Sequence, residues 1–299
     1  MSKRAYRVKF DFKISFTNGG GIQGEDFRLD IKGHDIQDQE LANHLIADMN
    51  LLMVGKVEIL NKVIIEEAHK RVAINPEQVK RIVDLSHTIE DGMITYKGLP
   101  APIICDYISR EDSKKQYTED TQFQIGKIDM VSNTGTYLDC PFHRFEGGED
   151  LAETSLDKMM DLDGIVIRVP WQEKLAIDVA DLQGYEIRNR AVLIHTGWDE
   201  HWSKEQYFEN HPYLTEKAAE YLKNCAVTLV GIDSHNIDDT SRNTRPVHTV
   251  LLGSGILIVE HLCNLTQVPD EGFLFTATPP KFKGVGTFPV RAMAKIKTS

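Results

Sequence analysis

The sequence predicts an α/β fold, and three observations indicate it. Apolar runs of strand length are interspersed with helical stretches from residue 79 onward. One run, Val227–Ile232, directly follows the helical stretch Thr215–Cys225 and ends at Asp233, a pattern typical of a buried strand. Apolar residues make up 41% and charged residues 26% of the chain, values that exclude a disordered or fibrous protein.

The first 75 residues are predicted to form a separate β-β-α-β module. Apolar side chains alternate over Arg7–Phe16 and again over Phe27–Ile31, with a glycine-rich turn between them that favours a hairpin. Helical spacing predicts a helix over Asp38–Asn50, and β-branched residues predict a third strand over Met53–Ile65. Asn75-Pro76 then marks a boundary, so we predict domains at residues 1–75 and 76–299.

Seven strands and two helical stretches are predicted in the second domain. The strands are Ile82–Leu85, Ile125–Val131, Gly164–Val169, Ala191–Thr196, Val227–Ile232, Gly255–Val259 and Phe273–Ala277. The helical stretches are Ser155–Met160 and Thr215–Cys225.

Charge and cysteine usage narrow the class of protein. A net charge of −11 without a large basic cluster argues against nucleic-acid binding. No run of 18 apolar residues predicts a membrane span, and the charged N-terminal segment does not match a signal peptide. The four cysteines show no CxxC spacing. These features predict a cytoplasmic protein with no nucleic-acid partner and no membrane partner.

Two segments carry the polar residues that indicate chemistry. Residues 133–143 place a polar side chain every two to four positions beside Gly135 and Pro141, which lets several side chains converge. His248 is followed twelve residues later by Glu260, at the end of an apolar run where carboxylates are rare unless paired or bound to metal. Asp, His and Glu together suit a divalent ion such as zinc or manganese.

Residues 133–143 resemble a motif of the cyclase and kynurenine-formamidase-like superfamily of metal-dependent hydrolases, His-x-Gly-Thr-His-x-Asp-x-Pro-x-His. Here the eleven residues are Asn-Thr-Gly-Thr-Tyr-Leu-Asp-Cys-Pro-Phe-His. The resemblance runs from about Ile82 to Ile296 and includes residues 195–198, the strand end at Asp233 and the His248/Glu260 pair. It implies a mixed-sheet, swivelling β/β/α cyclase-like domain over residues 76–299, and the N-terminal module lies outside it.

The resemblance also implies roles for individual residues. In the family, the first two motif histidines and the Asp bind one metal ion, and the Asp can hold a second ion with the later His and Glu. Asp139, His248 and Glu260 are therefore expected to bind one divalent metal, zinc or manganese. The last motif histidine moves a proton in the family, so His143 is the expected proton shuttle.

Two of the family's metal ligands are replaced in this chain, by Asn133 and Tyr137. An amide is a weak neutral ligand and a phenol is normally protonated near neutral pH, so the first metal position should be weakened or absent. Tyr137 either fills the vacated space or acts, together with Glu260, as a catalytic acid–base group. Asn133 is expected to bind substrate. The alternative is that the chain binds no metal ion.

Other residues are weaker candidates. Trp198 either contacts substrate, as the resemblance implies, or packs in the core. Cys140 is expected to pack rather than to act as a nucleophile. His87 is a weak site candidate. The other histidines of the second domain are expected to be structural or exposed: His195, His201, His211, His235 and His261.

Three functions are consistent with this pattern. The first is a cyclase-family enzyme that hydrolyses, or forms by cyclisation, a small cyclic or amide-containing metabolite through a polarised carbonyl and His143. The second is a metal-free acid–base enzyme that uses Tyr137, His143 and Glu260 for cyclisation, dehydration or isomerisation. The third is a non-catalytic descendant that binds a small molecule or a partner protein. By resemblance, we also expect a homo-oligomer.

Overall fold

The computed structural model describes residues 5–31, 33–49, 51–67, 79–118 and 121–297. The chain divides into two compact units, residues 1–75 and 76–299. The predicted boundary Asn75-Pro76 itself lies outside the described residues. Within the described ranges, no helix has the length and apolar character needed to cross a bilayer.

The N-terminal unit is a three-stranded antiparallel sheet with one helix. Its elements are β1 (Ala5–Phe16), β2 (Gly21–Ile31), α1 (Asp38–Asp48) and β3 (Val54–Glu67), and the strand order is β2-β1-β3. The β1–β2 turn contains Gly19 and Gly20 at φ of +86° and +85°, a conformation that glycine adopts without steric cost. The alternating β1 side chains and two α1 leucines form the core: Val8, Phe10, Phe12, Ile14, Leu41 and Leu45.

The second unit contains thirteen strands and four α-helices among its described residues. Its strands are β4 (Val79–Asp84), β5 (Ile103–Ile108), β6 (Ile125–Asp129), β7 (Tyr137–Asp139), β8 (Leu162–Arg168), β9 (Ala176–Ile177), β10 (Ala191–His195), β11 (Tyr213–Leu214), β12 (Leu229–Ile232), β13 (Leu257–Glu260), β14 (Phe273–Thr276), β15 (Thr287–Pro289) and β16 (Met293–Lys297). Its helices are α2 (Arg110–Lys114), α3 (Val179–Leu182), α4 (Glu216–Asn224) and α5 (Pro246–Gly253).

Nine strands form one mixed sheet in the order β15-β7-β13-β12-β10-β8-β14-β16-β4. The four central strands β13, β12, β10 and β8 are parallel to their neighbours within the group, and the outer strands pair antiparallel. All four residues of β12 are buried, as expected for a parallel strand covered on both faces. The predicted α/β class with a mixed sheet is confirmed.

Successive side chains of the parallel strands enter two different apolar clusters, because strand side chains alternate between faces. Val192 and Val230 pack with the buried faces of α4 and α5, whereas Leu193 and Leu229 pack in the other cluster with Leu138. The helix-bearing face is therefore a continuous aliphatic core. Near β7 and the end of β13, polar side chains replace this core.

One predicted helix is absent from the structure, and helix α5 lies where no helix was predicted. The helix predicted over Ser155–Met160 is only a 3₁₀ turn at Leu156–Lys158, followed by Asp161 at a φ of +52°. Residues 246–253, within the apolar run after Arg245, form helix α5, which was not predicted. A short continuous apolar run has the same pattern in a buried helix and in a buried strand, so periodicity does not separate them.

Candidate active site

Strand pairing brings four polar side chains onto the helix-bearing side of the sheet. Tyr137 and Asp139 are two residues apart on β7 and therefore share a face. Thr287 of β15 pairs with Asp139, and Glu260 of β13 pairs with Tyr137. Leu138, between the first two, points into the opposite core cluster.

His143 reaches the same place from a tight turn that follows β7. Residues 141–143 form a 3₁₀ turn with Pro141 at its first position, where the missing N–H costs nothing. The turn packs against Gly286, where a Cβ atom would lie 2.2 Å from the His143 backbone nitrogen. The imidazole Nδ1 of His143 is 2.8 Å from the Thr287 hydroxyl, which also donates a hydrogen bond to Asp139.

His248 is placed by the first turn of α5. The Asp238 carboxylate accepts the backbone N–H groups of Val247 and His248 at 2.8 and 3.0 Å, so it caps the helix. The same carboxylate lies 2.6 Å from His248 Nδ1. Asp238 therefore fixes the imidazole orientation and directs Nε2 toward the carboxylates of the sheet.

The ligand atoms of Asp139, His143 and His248 all lie within 4.8 Å of one another. His248 Nε2 is 3.6 Å from Asp139 Oδ2 and 3.8 Å from Glu260 Oε1, and His143 Nδ1 is 3.7 Å from Asp139 Oδ1. Asp139 Oδ2 is buried without a hydrogen-bond partner in the part of the chain that the structure describes. A buried carboxylate of this kind, with one oxygen facing each of two imidazoles, fits a cation ligand.

Tyr137 and Asn133 form a different arrangement beside this group. The Tyr137 hydroxyl donates a 2.6 Å hydrogen bond to Glu260 Oε2, while Glu260 Oε1 accepts the Ile237 N–H at 2.6 Å. Asn133 and Tyr137 line one cavity. Tyr137 forms a phenol–carboxylate pair with Glu260, and both Glu260 oxygens are engaged.

Burial and charge set the protonation of these groups. Burial lowers the pKa of His248, but contacts with Asp139, Asp238 and Glu260 outweigh it and raise that pKa to about 10. Burial raises the pKa of Glu260 to about 7, although the His248 charge opposes the rise. Burial raises the pKa of Tyr137 well above its ordinary value, and the charges of Glu260 and Asp139 add to this, so the phenol stays protonated.

A cavity of about 220 Å³ opens onto these side chains. It is smaller than a typical pocket for a drug-sized ligand, which favours a small metabolite. Five of its lining residues were predicted for the site: Asn133, Tyr137, His143, His248 and Glu260. The other lining residues are Tyr96, Leu99, Arg144, Asn236 and Arg245.

Trp198, the other residue predicted to contact substrate, does not line this cavity. Its side chain is 1% exposed, and its indole N–H donates to the Tyr207 carbonyl oxygen at 3.1 Å. The turn before it is held by Asp233, whose carboxylate accepts the N–H groups of Thr196 and Gly197. The structure therefore places Trp198 in the core, where its ring packs edge-on against Trp171.

Some of the histidines that were expected to be structural belong to a buried aromatic cluster. His87, the weak site candidate, stacks on Trp202 with ring centroids 3.8 Å apart and does not line the cavity. His235 and His261 pack edge-on against each other. Burial lowers the pKa of His87 to about 4 and that of His235 to about 3, so these rings are neutral aromatic packing groups. Cys140 is also buried, and burial raises the pKa of its thiol, as expected for a packing residue.

Sequence reasoning missed Thr287, Asp238 and the two cavity arginines. Thr287 acts through cross-strand pairing, which a single sequence does not reveal. Asp238 lies ten residues before His248 in an irregular segment. It also lies eight residues before Pro246, too far from the start of α5 for a helix-start pattern to reveal its capping role.

The second unit is thus a mixed-sheet α/β domain that carries a carboxylate–imidazole group beside a small cavity. The Cyclase family, described as putative cyclase, matches residues 83–239, more than half of the chain. The chain belongs to this family. The expected family membership is thereby confirmed.

Relatives agree with this assignment. A kynurenine formamidase from Geobacillus thermodenitrificans is 31% identical over 176 residues, covering 58% of this chain and 81% of the relative. A kynurenine formamidase from Bacillus cereus is 26% identical over 223 residues, covering 71% and 96%. The chain is accordingly a kynurenine-formamidase-like enzyme of the hydrolase class.

Solved structures show the same fold. A structure described as a predicted metal-dependent hydrolase from Bacillus stearothermophilus has a TM-score of 0.53 and 26% identity, covering 72% of this chain and 97% of that chain. Isatin hydrolase A from Ralstonia solanacearum has a TM-score of 0.63 and 23% identity, covering 73% and 92%. The cyclase-like fold of the second unit is thus shared with known hydrolases.

Proposed function

We propose that this protein hydrolyses the amide C–N bond of a small metabolite at the cavity described above. The observation that carries the proposal is the convergence of Asp139, His143 and His248, with ligand atoms within 4.8 Å of one another. The relatives named as kynurenine formamidases support an amide as the bond that is broken. The same site would serve the reverse cyclisation, because both directions need a polarised carbonyl and a mobile proton.

Asp139, His248 and Glu260 would hold one divalent metal ion, zinc or manganese. The orphaned Asp139 Oδ2 and the His248 imidazole fixed by Asp238 fit a ligand set of this kind, with the metal ion displacing the Nε2 proton that His248 carries in its absence. When bound, such an ion supplies Lewis-acid polarisation of a carbonyl and lowers the pKa of water. Glu260 would coordinate through Oε1, which lies 3.8 Å from His248 Nε2 and has a second lone pair besides the one that accepts the Ile237 N–H.

His143 would move the proton between water and the leaving amine. Its side chain is 34% exposed, whereas that of His248 is 7% exposed, so only His143 is positioned to exchange protons with solvent. Thr287 occupies its Nδ1, which leaves Nε2 as the working atom. His143 belongs to the group of side chains whose ligand atoms lie within 4.8 Å of one another. The metal content of a His143 variant therefore has to be measured separately from its turnover.

Asn133 would bind the substrate carbonyl through its amide, since it lines the cavity beside Tyr137. Tyr137 would hold Glu260 in place and keep its phenol proton. Substrate contact by Trp198 is not part of the proposal, because its ring is buried away from the cavity.

The test is turnover on a panel of N-formyl aromatic amines, lactams and cyclic imides. The wild-type chain and His143→Ala are compared, with His44→Ala, an exposed histidine of the N-terminal unit, as the matched control. We expect His143→Ala to lower kcat about 10²- to 10⁴-fold with metal content unchanged. Unchanged turnover would remove His143 from the mechanism, and loss of the metal would make it a ligand instead.

A second candidate is a metal-free acid–base enzyme that uses Tyr137, His143 and Glu260. The 2.6 Å hydrogen bond between Tyr137 and Glu260 favours it, because it joins a protonated phenol to a buried carboxyl group beside the cavity. Turnover measured before and after exhaustive chelation separates the two functions. Activity that survives removal of all metal would support the metal-free enzyme, and activity restored only by added Zn²⁺ or Mn²⁺ would exclude it.

The proposal includes a homo-oligomer in the cytoplasm. Strands β5 and β6 form a separate two-stranded ribbon whose apolar side chains are exposed, among them Tyr107 at 72% and Ile128 at 61%. A second copy of the chain is a suitable cover, because an isolated ribbon is marginally stable in water. Light scattering tests the oligomeric state, and we expect the wild-type chain to associate and the Ile128→Lys variant to be a monomer. A monomeric wild-type chain, or an Ile128→Lys variant that stays associated, would contradict the proposal.

A further inference from the structure

Thr287 of β15 lies between the Asp139 carboxylate and the His143 ring. It pairs with Asp139 across the β7–β15 ladder and is 2% exposed, so water does not reach it from solvent. Gly286, the preceding residue, leaves room for the 3₁₀ turn, since a Cβ atom there would lie 2.2 Å from the His143 backbone nitrogen. The proposed hydrolysis needs His143 to accept a proton at Nε2, and this nitrogen accepts one only if it carries none beforehand.

The single hydrogen of the Thr287 hydroxyl goes to Asp139. The hydroxyl donates to Asp139 Oδ1 and is the one donor within hydrogen-bond distance of that carboxylate among the described residues. The other oxygen, Oδ2, is buried without a partner, and His248 Nε2 lies 3.6 Å from it. Turning the hydroxyl away would leave both buried oxygens without a donor, which costs free energy. The direction of the bond is therefore from Thr287 to Asp139.

This direction determines where the His143 ring carries its proton. A hydroxyl has one hydrogen, so Thr287 has only lone pairs left to offer His143. Nδ1 of His143 lies 2.8 Å from the Thr287 oxygen and 3.7 Å from Asp139 Oδ1, so the bond to Thr287 needs the hydrogen of an Nδ1–H group. A neutral imidazole has one N–H, and Nε2 then bears a lone pair. The ring that carries this lone pair lines the cavity.

We infer that Thr287 is a positioning residue that sets the tautomer of His143: it accepts the Nδ1–H and thereby presents an unprotonated Nε2 to the cavity. This inference rests on the proposed amide hydrolysis. As the water oxygen bonds to the carbonyl carbon, its proton passes to Nε2, and Nε2 returns it to the amine nitrogen as the C–N bond breaks. The Nδ1–H stays on Thr287 throughout.

Nitrogen-15 NMR of the histidine rings measures the tautomer directly. The labelled full chain is studied with saturating Zn²⁺ at about pH 8.5, roughly two units above the ordinary pKa of imidazole. The spectrum of His143→Ala assigns the resonances of the ring. We expect a protonated Nδ1 and an unprotonated Nε2 in the wild-type chain, and a loss of this single tautomer in Thr287→Val. A wild-type ring protonated at Nε2 would overturn the inference.

Steady-state kinetics on the amide panel gives the second readout. Thr287→Val keeps the shape of the side chain without its hydroxyl, and it should lower kcat at least about 10-fold with KM within about twofold of the wild-type value. Thr287→Ser keeps the hydroxyl and should restore most of kcat. Thr228→Val, at a half-buried threonine that does not line the cavity, is the matched control and should change neither constant.

Zinc content is measured on each variant, because Thr287 also contacts a proposed metal ligand. A Thr287→Val chain that loses its zinc would overturn the inference, since Thr287 would then act on Asp139 rather than through His143. A lowered kcat in Thr287→Ser equal to that in Thr287→Val would also overturn it, because the hydroxyl would not be the group that matters.

The two readouts separate this inference from the hydrolysis proposal. An Nδ1–H tautomer that depends on Thr287, together with no turnover of the panel by the wild-type chain, would support the assigned tautomer while removing the hydrolysis. Equal turnover by the wild-type and Thr287→Val chains, with zinc retained in both, would leave the hydrolysis standing and overturn the role of Thr287.

Discussion

The candidate site has a retained half, formed by Asp139, His143 and His248, and a rewritten half, in which Asn133 and Tyr137 replace two motif histidines. The two halves differ in what surrounds their polar groups. In the retained half, Asp139, His143 and His248 meet across gaps of 3.6 and 3.7 Å, and Asp139 Oδ2 has no hydrogen-bond partner among the described residues. In the rewritten half, Tyr137 closes on Glu260 at 2.6 Å. One half is arranged for a cation, and the other is already satisfied by hydrogen bonds.

On the proposed metal assignment, this comparison explains how a site can lose one metal position and keep the other. A phenol is larger than an imidazole and keeps its proton, so it fills the space of the first metal position and donates to Glu260 Oε2. The surrounding contacts of the retained half, from Thr287 and Asp238, come from segments outside the motif. The contacts made by Thr287 and Asp238 therefore persist when the two motif histidines are replaced.

The largest expected effect comes from Asp139→Asn, which breaks the retained half. The substitution removes the negative charge between the two imidazoles, so metal content should fall to background and turnover by at least about 10³-fold. Elemental analysis and steady-state kinetics measure the two effects. Asp157→Asn, at an exposed aspartate, is the matched control, and metal retained by Asp139→Asn would show that the ion does not use this carboxylate.

Asp238→Asn tests whether the Asp238 carboxylate is needed to orient His248 in the retained half. The amide no longer accepts from both the backbone and His248 Nδ1, so the imidazole loses its fixed orientation. Metal affinity should fall about 10- to 100-fold, measured by competition with a chelator. Asp239→Asn controls for charge at the neighbouring position, and equal affinities in the two variants would contradict the role of Asp238.

Tyr137→Phe sharpens the description of the rewritten half. The variant leaves Glu260 Oε2 without the hydroxyl donor in a buried site, so the free energy of unfolding should fall by about 1–3 kcal/mol. Denaturant unfolding measures the change, with Tyr185→Phe at an exposed tyrosine as the control. A stability equal to that of the control would mean that the hydrogen bond contributes nothing.

Trp198→Phe should have the smallest effect on catalysis. The indole fills the core and donates to the Tyr207 carbonyl, so thermal stability should decrease while KM stays within about twofold of the wild-type value. Steady-state kinetics and a melting curve on the same sample provide the readout. A KM raised tenfold or more with stability unchanged would return Trp198 to the substrate site.

The sequence predicted the α/β class and the location of the central strands because their apolar runs are long and uninterrupted. It did not predict α5, whose apolar residues 247, 250, 251 and 252 read equally well as part of a strand. The candidate site residues Asp139, His143, His248 and Glu260 followed from the resemblance to the family. Thr287, Asp238, Arg144 and Arg245 did not, because their places in the site depend on strand register and on the packing of distant segments.

The number of metal ions bound per chain tests the central claim most directly. The full chain, purified without chelator and then saturated with Zn²⁺ or Mn²⁺, should bind one ion, and the double variant Asn133→His/Tyr137→His should bind two. Two ions in the wild-type chain would show that the rewritten half still holds metal, and none would show that the retained half does not.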